Sequence, residues 1–345
     1  MGLRLPSPLQ SFKEKGEELL STIGESRKVT VMPLFYSMNR FIAKPDVDTI
    51  CERLSSIGER TKMDAILFSA GGDPDQAYLI ATMLQEYAKE KLTIIVPRYA
   101  KSAATLLACS ADEVVVGPAS ELGPIDPVIE VPETRRYVPV QSLIELIEMI
   151  GKGSMAKEVV EEILKRIPVI ELGDYRRLTE HIEDLAGKLL SRRMFKGQQD
   201  KAVEIAKKLC AFKSHRAAIA RADLKEIGLK LSELPDEVWN AIWKLHKLWR
   251  EYVIEYENKL PEESIEPLCF SLGSGLVFTV QASSQRKTEL EAYCEVGDVN
   301  VEFFVHFEPP MHGHSSHVHV GLLCPKLENG TCSITKKPCH LMPAG

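Results

Sequence analysis

The first 120 residues alternate between short apolar runs and stretches with helical spacing. The runs are Lys28 to Tyr36 (KVTVMPLFY), Ala65 to Phe68, Leu92 to Val96 and Glu113 to Val116, each closed by turn residues. Runs of this length without polar alternation read as strands buried on both faces. Between them, Asp46 to Ile57 begins at an Asp cap, and Ala77, Ile80, Ala81, Leu84 and Ala88 form an apolar stripe. Asp73-Pro74 marks the start of that second helix, with Asp as cap and Pro at its first position. Ser102 to Ala111 reads as a short third helix. Strand, helix, strand, helix, strand predicts a parallel βαβ sheet with right-handed crossovers.

Beyond Pro127 the pattern changes. Val128 to Val138 is irregular or strand-like and carries Arg135-Arg136, and Gln141 to Ile150 is a helix with Leu143, Ile144, Ile147 and Ile150 on one face. Gly151-Lys152-Gly153-Ser154 is a breaker, followed by predicted helices over Ala156–Ile167, Asp174–Met194, Gln199–Phe212 and Ala217–Ile227. Pro235 opens a longer one to Asn258, whose stripe of Val238, Ile242, Leu245, Trp249, Tyr252 and Tyr256 predicts core or subunit contact. Ser11 to Ile23 is an amphipathic helix expected on the body or on a neighbouring subunit. In the last eighty residues, Gly275–Ala282, Thr288–Glu295 and Asn300–Phe307 predict a small antiparallel sheet. The expected division is a helical segment 1–27, a core 28–260 and a β-rich accessory domain 264–345.

Composition narrows the function classes. The 345 residues are 44% hydrophobic and 27% charged, ordinary for a globular protein. The net charge of −6 gives no reason to expect nucleic acid or an anionic membrane as partner. No apolar run approaches the ~20 residues of a membrane span, and the N-terminal stretch lacks a signal-peptide core. A cytoplasmic setting is the expectation, with Cys51, Cys109 and Cys210 as buried thiols and no disulfides.

The candidate chemistry lies between Asp64 and Pro127. Ligands of a parallel sheet sit beyond the carboxyl ends of its strands. One such end carries Gly71-Gly72, where backbone can approach a ligand closely; another carries Ser102, followed by Ala103-Ala104. Separately these are a turn and a helix cap. Together they hold the parts of acyl transfer: a nucleophile and oxyanion donors. The blocks SAGGDPDQA, YAKSAATLLACSADEVVVG, SELGPIDP and KSHRAAIARADLKEIGL resemble those of the serine dehydrogenase proteinase family, over roughly residues 30 to 258. That family is similar to signal peptide peptidase A and shares the Clp protease/crotonase fold. The resemblance implies a ββα spiral core with a helical C-terminal part. It also implies Ser102 as nucleophile, with Gly71 or Gly72 and the Ala103 amide as oxyanion hole.

A serine nucleophile needs a proton acceptor. Clp proteases place a histidine soon after the serine, but the first histidine here is His181. The signal peptide peptidase branch uses a buried lysine, made neutral by desolvation. Lys152, Lys157 and Lys165 are the candidates; Lys152, fifty residues after Ser102, matches that branch in offset and is the expected base. The expected activity is a homo-oligomeric serine peptidase acting on protein or peptide, with no catalytic cofactor. Two alternatives are an inactive scaffold or sensing protein of the same fold, and a crotonase-like acyl-thioester enzyme.

Six of the nine histidines fall in the tail, with His312/His314 and His317/His319 each two apart. Cys324, Cys332, Cys339 and His340 are the expected ligands of one structural zinc ion, three thiolates and an imidazole in a closed set. Their spacing matches no familiar zinc motif; an iron–sulfur cluster would accept the same thiolates.

Overall fold

A computed structural model describes residues 5–131, 136–153, 155–157, 159–161, 172–212, 214–261, 265–283, 290–296, 299–305, 327–328 and 331–332. The chain divides into two units, 1–282 and 283–345. The first unit begins with α1 (Ser7–Arg27), β1 (Thr30–Tyr36), α2 (Lys44–Ile57), β2 (Arg60–Phe68), α3 (Pro74–Tyr87) and β3 (Ala88–Val96). It continues with β4 (Tyr99–Ala100), α4 (Ala103–Cys109), β5 (Glu113–Val116), β6 (Glu121–Leu122), β7 (Val128–Val131), β8 (Arg136–Pro139) and α5 (Val140–Gly151). Then come α6 (Leu172–Arg192), α7 (Gln199–Cys210), β9 (Ile219–Ala220), α8 (Arg221–Ile227), β10 (Leu231–Ser232) and α9 (Asp236–Leu248). A π-helical turn, Trp249–Ile254, prolongs α9 before the hairpin of β11 (Ile265–Leu272) and β12 (Gly275–Ala282).

Seven strands form the main sheet in the order β10-β5-β3-β2-β1-β12-β11, parallel throughout except for β11 against β12. Why the strands lack polar alternation is visible in the parity of their side chains. Met32, Leu34, Ala65, Leu67, Ile94, Val96, Val114 and Phe278 join one core, with α2, α3, α4, α6 and α7. Their neighbours Val31, Phe35, Ile66, Phe68, Ile95, Val115 and Val277 join the other, with α1 and α9. Both faces are covered, so both parities are apolar.

The second core is aromatic. Trp249 is fully buried and meets Phe12, Phe35 and Phe68 edge-on, at centroid distances of 5.6, 5.2 and 5.7 Å. The stripe predicted on the last helix is therefore packed in the core of its own unit, against α1 and the sheet. The hairpin β11–β12 is a second difference. The sequence reading assigned residues from 264 onward to an accessory domain, yet β12 pairs parallel with β1 from Leu34↔Leu276 to Tyr36↔Phe278. Its six buried positions from Gly275 to Val280 explain the placement, because only an inner strand can bury both parities.

The second unit is described only in part. β13 (Leu290–Val296) and β14 (Val299–Val305) form one antiparallel hairpin, and β15 (Leu327–Glu328) and β16 (Thr331–Cys332) another. Of the expected zinc ligands, Cys332 lies in β16; Cys324, Cys339 and His340 lie outside the described residues.

Candidate active site

The site is assembled where β2 and β4 end. A bridge between Ser69 and Ala100 joins these ends, and the Lys101 N–H donates to the Ser69 carbonyl at 3.0 Å. The chain leaves β2 through Ala70-Gly71-Gly72 and leaves β4 through Lys101-Ser102, so the junction sets the glycine turn beside the serine. Gly71 has φ +109, and a side chain there would lie 2.8 Å from the Lys101 carbonyl oxygen, 2.9 Å from Ser102 Cβ and 3.3 Å from the Ala103 nitrogen. Gly72 has φ +145, and a Cβ there would sit 2.4 Å from the Ile42 backbone. Glycine is required at both positions by contact and by conformation.

Ser102 is strained. Its φ of 49° and ψ of −125° lie where a residue with Cβ is rarely found; Lys28, a left-handed helix end, is the other positive-φ non-glycine among the described residues. Strained elbows of this kind turn a serine side chain out of a strand-to-helix corner. Its hydroxyl makes no capping hydrogen bond to α4. The cap reading of Ser102 therefore does not hold, and the hydroxyl is free to act elsewhere.

Three backbone N–H groups, those of Gly71, Gly72 and Ala103, belong to the glycine turn and the start of α4. The Gly71 N–H is engaged by Ser69 Oγ at 3.1 Å. Among the described residues, no hydrogen bond occupies the N–H of Gly72 or of Ala103. Of the two glycines, Gly72 has the available donor.

Three short strands, β4, β6 and β9, hold the surroundings; β6 lies between the others, parallel to β4 and antiparallel to β9. Two residues each, they are too short to show a period in sequence. Thr105 Oγ1 ties them by donating to the Gly123 carbonyl at 2.8 Å, with the Ala100 carbonyl at 3.0 Å. The Lys101 side chain is engaged elsewhere: its Nζ pairs with Glu121 at 3.0 Å and donates to the Ala217 carbonyl at 3.1 Å. On the same segment as Ala217, His215 Nδ1 lies 3.0 Å from Asp126 Oδ1. Asp126 is 3% exposed in its side chain, and its Oδ2 is buried with no hydrogen-bond partner among the described residues. Neither residue was among the sequence candidates. Each stood inside one of the quoted blocks, Asp126 in SELGPIDP and His215 in KSHRAAIARADLKEIGL.

Lys152 stands at the end of α5, 74% exposed in its side chain, paired with Glu148 at 3.8 Å. Lys157 is 84% exposed and faces Glu161; Lys165 lies outside the described residues. A lysine base requires burial to shed its proton near neutrality, and neither described candidate has it. Each is exposed and faces a glutamate one helical turn away. No helix among the described residues is long and apolar enough to cross a membrane.

Two curated relatives come from Methanocaldococcus jannaschii. The uncharacterized protein MJ1495 is 26% identical over 232 residues, 67% of this chain and 72% of its own length. The uncharacterized protein MJ0137 is 25% identical over 242 residues, 67% and 78% of the two chains. Among solved structures, a serine-to-alanine mutant of the 1510-N membrane-bound stomatin-specific protease aligns at 12% identity over 61% of this chain and 82% of its own, with a TM-score of 0.37. ClpP1 from Listeria monocytogenes aligns at 13% over 64% and 98%, with a TM-score of 0.34. Residues 11–256 match the ClpP-like SDH-type serine proteinases, and the chain belongs to that family.

Proposed function

We propose that this protein is a serine peptidase in which Ser102 attacks a peptide carbonyl and the N–H groups of Gly72 and Ala103 hold the oxyanion. The strained, uncapped Ser102 beside an unoccupied pair of backbone donors is the observation that carries the reading. Donors fixed by the fold stabilise a developing charge without reorganising, usually the largest electrostatic contribution to acyl transfer. Gly72 is held by the Ile42 backbone, with the Ile42 N–H on the Gly71 carbonyl at 2.8 Å and the Asp73 N–H on the Ile42 carbonyl at 2.9 Å. Membership of a serine proteinase family supports a peptidase over an inactive scaffold or an acyl-thioester enzyme. Hydrolysis of casein or fluorogenic peptides by purified protein, lost in Ser102→Ala, tests it. Wild type that cleaves neither substrate and is not modified by a serine-reactive fluorophosphonate would favour the scaffold.

The expected lysine base is not retained at Lys152, whose exposure supplies no reason for a neutral amine. Self-association remains part of the proposal, now resting on α5 rather than α9. Ile144, Leu146, Ile147 and Ile150 are only half-buried there and Met149 is 47% exposed, an apolar surface for one helix. Light scattering at micromolar concentration should give a multiple of 38.6 kDa. The zinc proposal for Cys324, Cys332, Cys339 and His340 also stands: elemental analysis should find near-equimolar zinc in wild type and little in Cys332→Ser.

A further inference from the structure

Neither lysine candidate among the described residues is buried, and the structure offers another base for the serine. We propose that His215 is the general base for Ser102 and that Asp126 positions it; the inference rests on the peptidase reading above. The backbone register puts these three residues on neighbouring segments. β6 and β9 pair as Glu121↔Ala220 and Leu122↔Ile219. Continuing that antiparallel register four residues beyond Leu122 sets Asp126 opposite His215, where the 3.0 Å contact is found. β4 and β6 pair as Tyr99↔Glu121 and Ala100↔Leu122. Continued two residues, this sets Ser102 level with Pro124. The serine loop and the 215–217 segment thus flank the 123–126 segment on its two sides. Two contacts hold them there: a Cβ on Gly123 would lie 3.0 Å from Lys101 Cα, and Lys101 Nζ reaches the Ala217 carbonyl.

The chemistry of the pair fits the role. With Nδ1–H donating to Asp126, the tautomer leaves Nε2 as an acceptor. The Asp126 carboxylate is buried, and its Oδ2 has no partner, so the imidazole is its one described hydrogen-bond partner. A buried carboxylate holding Nδ1–H fixes the tautomer and orientation of the ring. His215 itself is 25% exposed in its side chain, open enough to meet substrate. In the acylation step the Ser102 Oγ–H proton passes to Nε2 as Oγ bonds to the carbonyl carbon. Collapse of the oxyanion breaks the C–N bond, and Nε2–H protonates the leaving amine. Water then gives a proton to Nε2 and attacks the ester; Oγ leaves as the acid forms and recovers the proton from Nε2. The chain order serine, aspartate, histidine differs from the near-serine histidine sought in the sequence, and geometry rather than order defines such a set.

The test is the rate at which a fluorophosphonate modifies Ser102 in the full chain, with fold checked by circular dichroism. Both His215→Ala and His215→Gln should slow it by 10²–10⁴-fold. Glutamine keeps a donor for Asp126 but cannot carry the proton, so a purely structural tie would be restored by it. Added imidazole should recover part of the rate in His215→Ala, and Asp126→Asn should fall by at least tenfold with Ser102 intact. A His215→Gln protein at the wild-type rate, or a loss in His215→Ala that imidazole leaves unchanged, overturns the inference and leaves the peptidase reading standing. So does a loss confined to Lys152→Ala. Wild type that is not modified at Ser102 overturns both.

Discussion

Two helices begin on the same side of the sheet, α3 after β2 and α4 after β4, and they begin in opposite ways. At α3 Asp73 has ordinary extended backbone, φ −69° and ψ 120°, and its carboxylate accepts from the Asp75 and Gln76 N–H groups at 2.9 and 3.1 Å. At α4 Ser102 has φ 49° and accepts from neither. Aspartate and serine are both favoured caps, so residue type does not separate them. Backbone conformation does. A relaxed, capping side chain stabilises its helix; a strained, uncapping one is held by its surroundings against its own preference, which marks a working position.

Substitutions can sharpen that contrast or break it, beginning with the largest effect. Ser102→Ala should lower peptide hydrolysis on the order of 10⁶-fold while leaving thermal unfolding nearly unchanged. Activity within tenfold of wild type would make Ser102 an ordinary corner residue. Gly72→Ala should cost about 3 kcal/mol in denaturant unfolding and abolish hydrolysis, because its methyl group would meet the Ile42 backbone at 2.4 Å. Gly58, with φ +70 and nothing within 4 Å of an added Cβ, gives the control: Gly58→Ala should cost about 1 kcal/mol through conformation alone. Smaller still are the changes at the two helix starts. Ser102→Gly should raise stability by about 1 kcal/mol by relieving the positive φ, at the loss of activity. Asp73→Ala should lower stability by about 1 kcal/mol by removing the cap, with Ser102 still reactive. If both changes moved stability in the same direction, the two helix starts would not differ as described.

The same contrast shows what the sequence makes legible. The Asp73-Pro74 start, the apolar strands and the helical stripes follow from local rules, and each is found within a few residues of its predicted bounds. Gly71, Gly72 and Ser102 were legible as a group because glycine pairs and a serine before small residues are local signals too. The strain at Ser102 was not, since no residue type announces a positive φ outside glycine. The choice between Gly71 and Gly72 depended on one hydrogen bond, donated by the Gly71 N–H to Ser69 Oγ. β12 was assigned to the wrong sheet because its pairing with β1 spans more than 200 residues of chain. The Asp126–His215 contact spans 89 residues and emerges only from the register of two-residue strands. Lys152 shows the reverse case, an offset read along the sequence whose side chain is exposed in the fold.

The claim on which the rest depends is that Ser102 is a nucleophile. Its most direct test is mass spectrometry of the whole chain after reaction with a biotinylated fluorophosphonate, followed by digestion and mapping. A single adduct on the peptide that contains Ser102, absent from Ser102→Ala, is the predicted result. An unmodified wild-type chain, or an adduct on another residue that persists in Ser102→Ala, would contradict it.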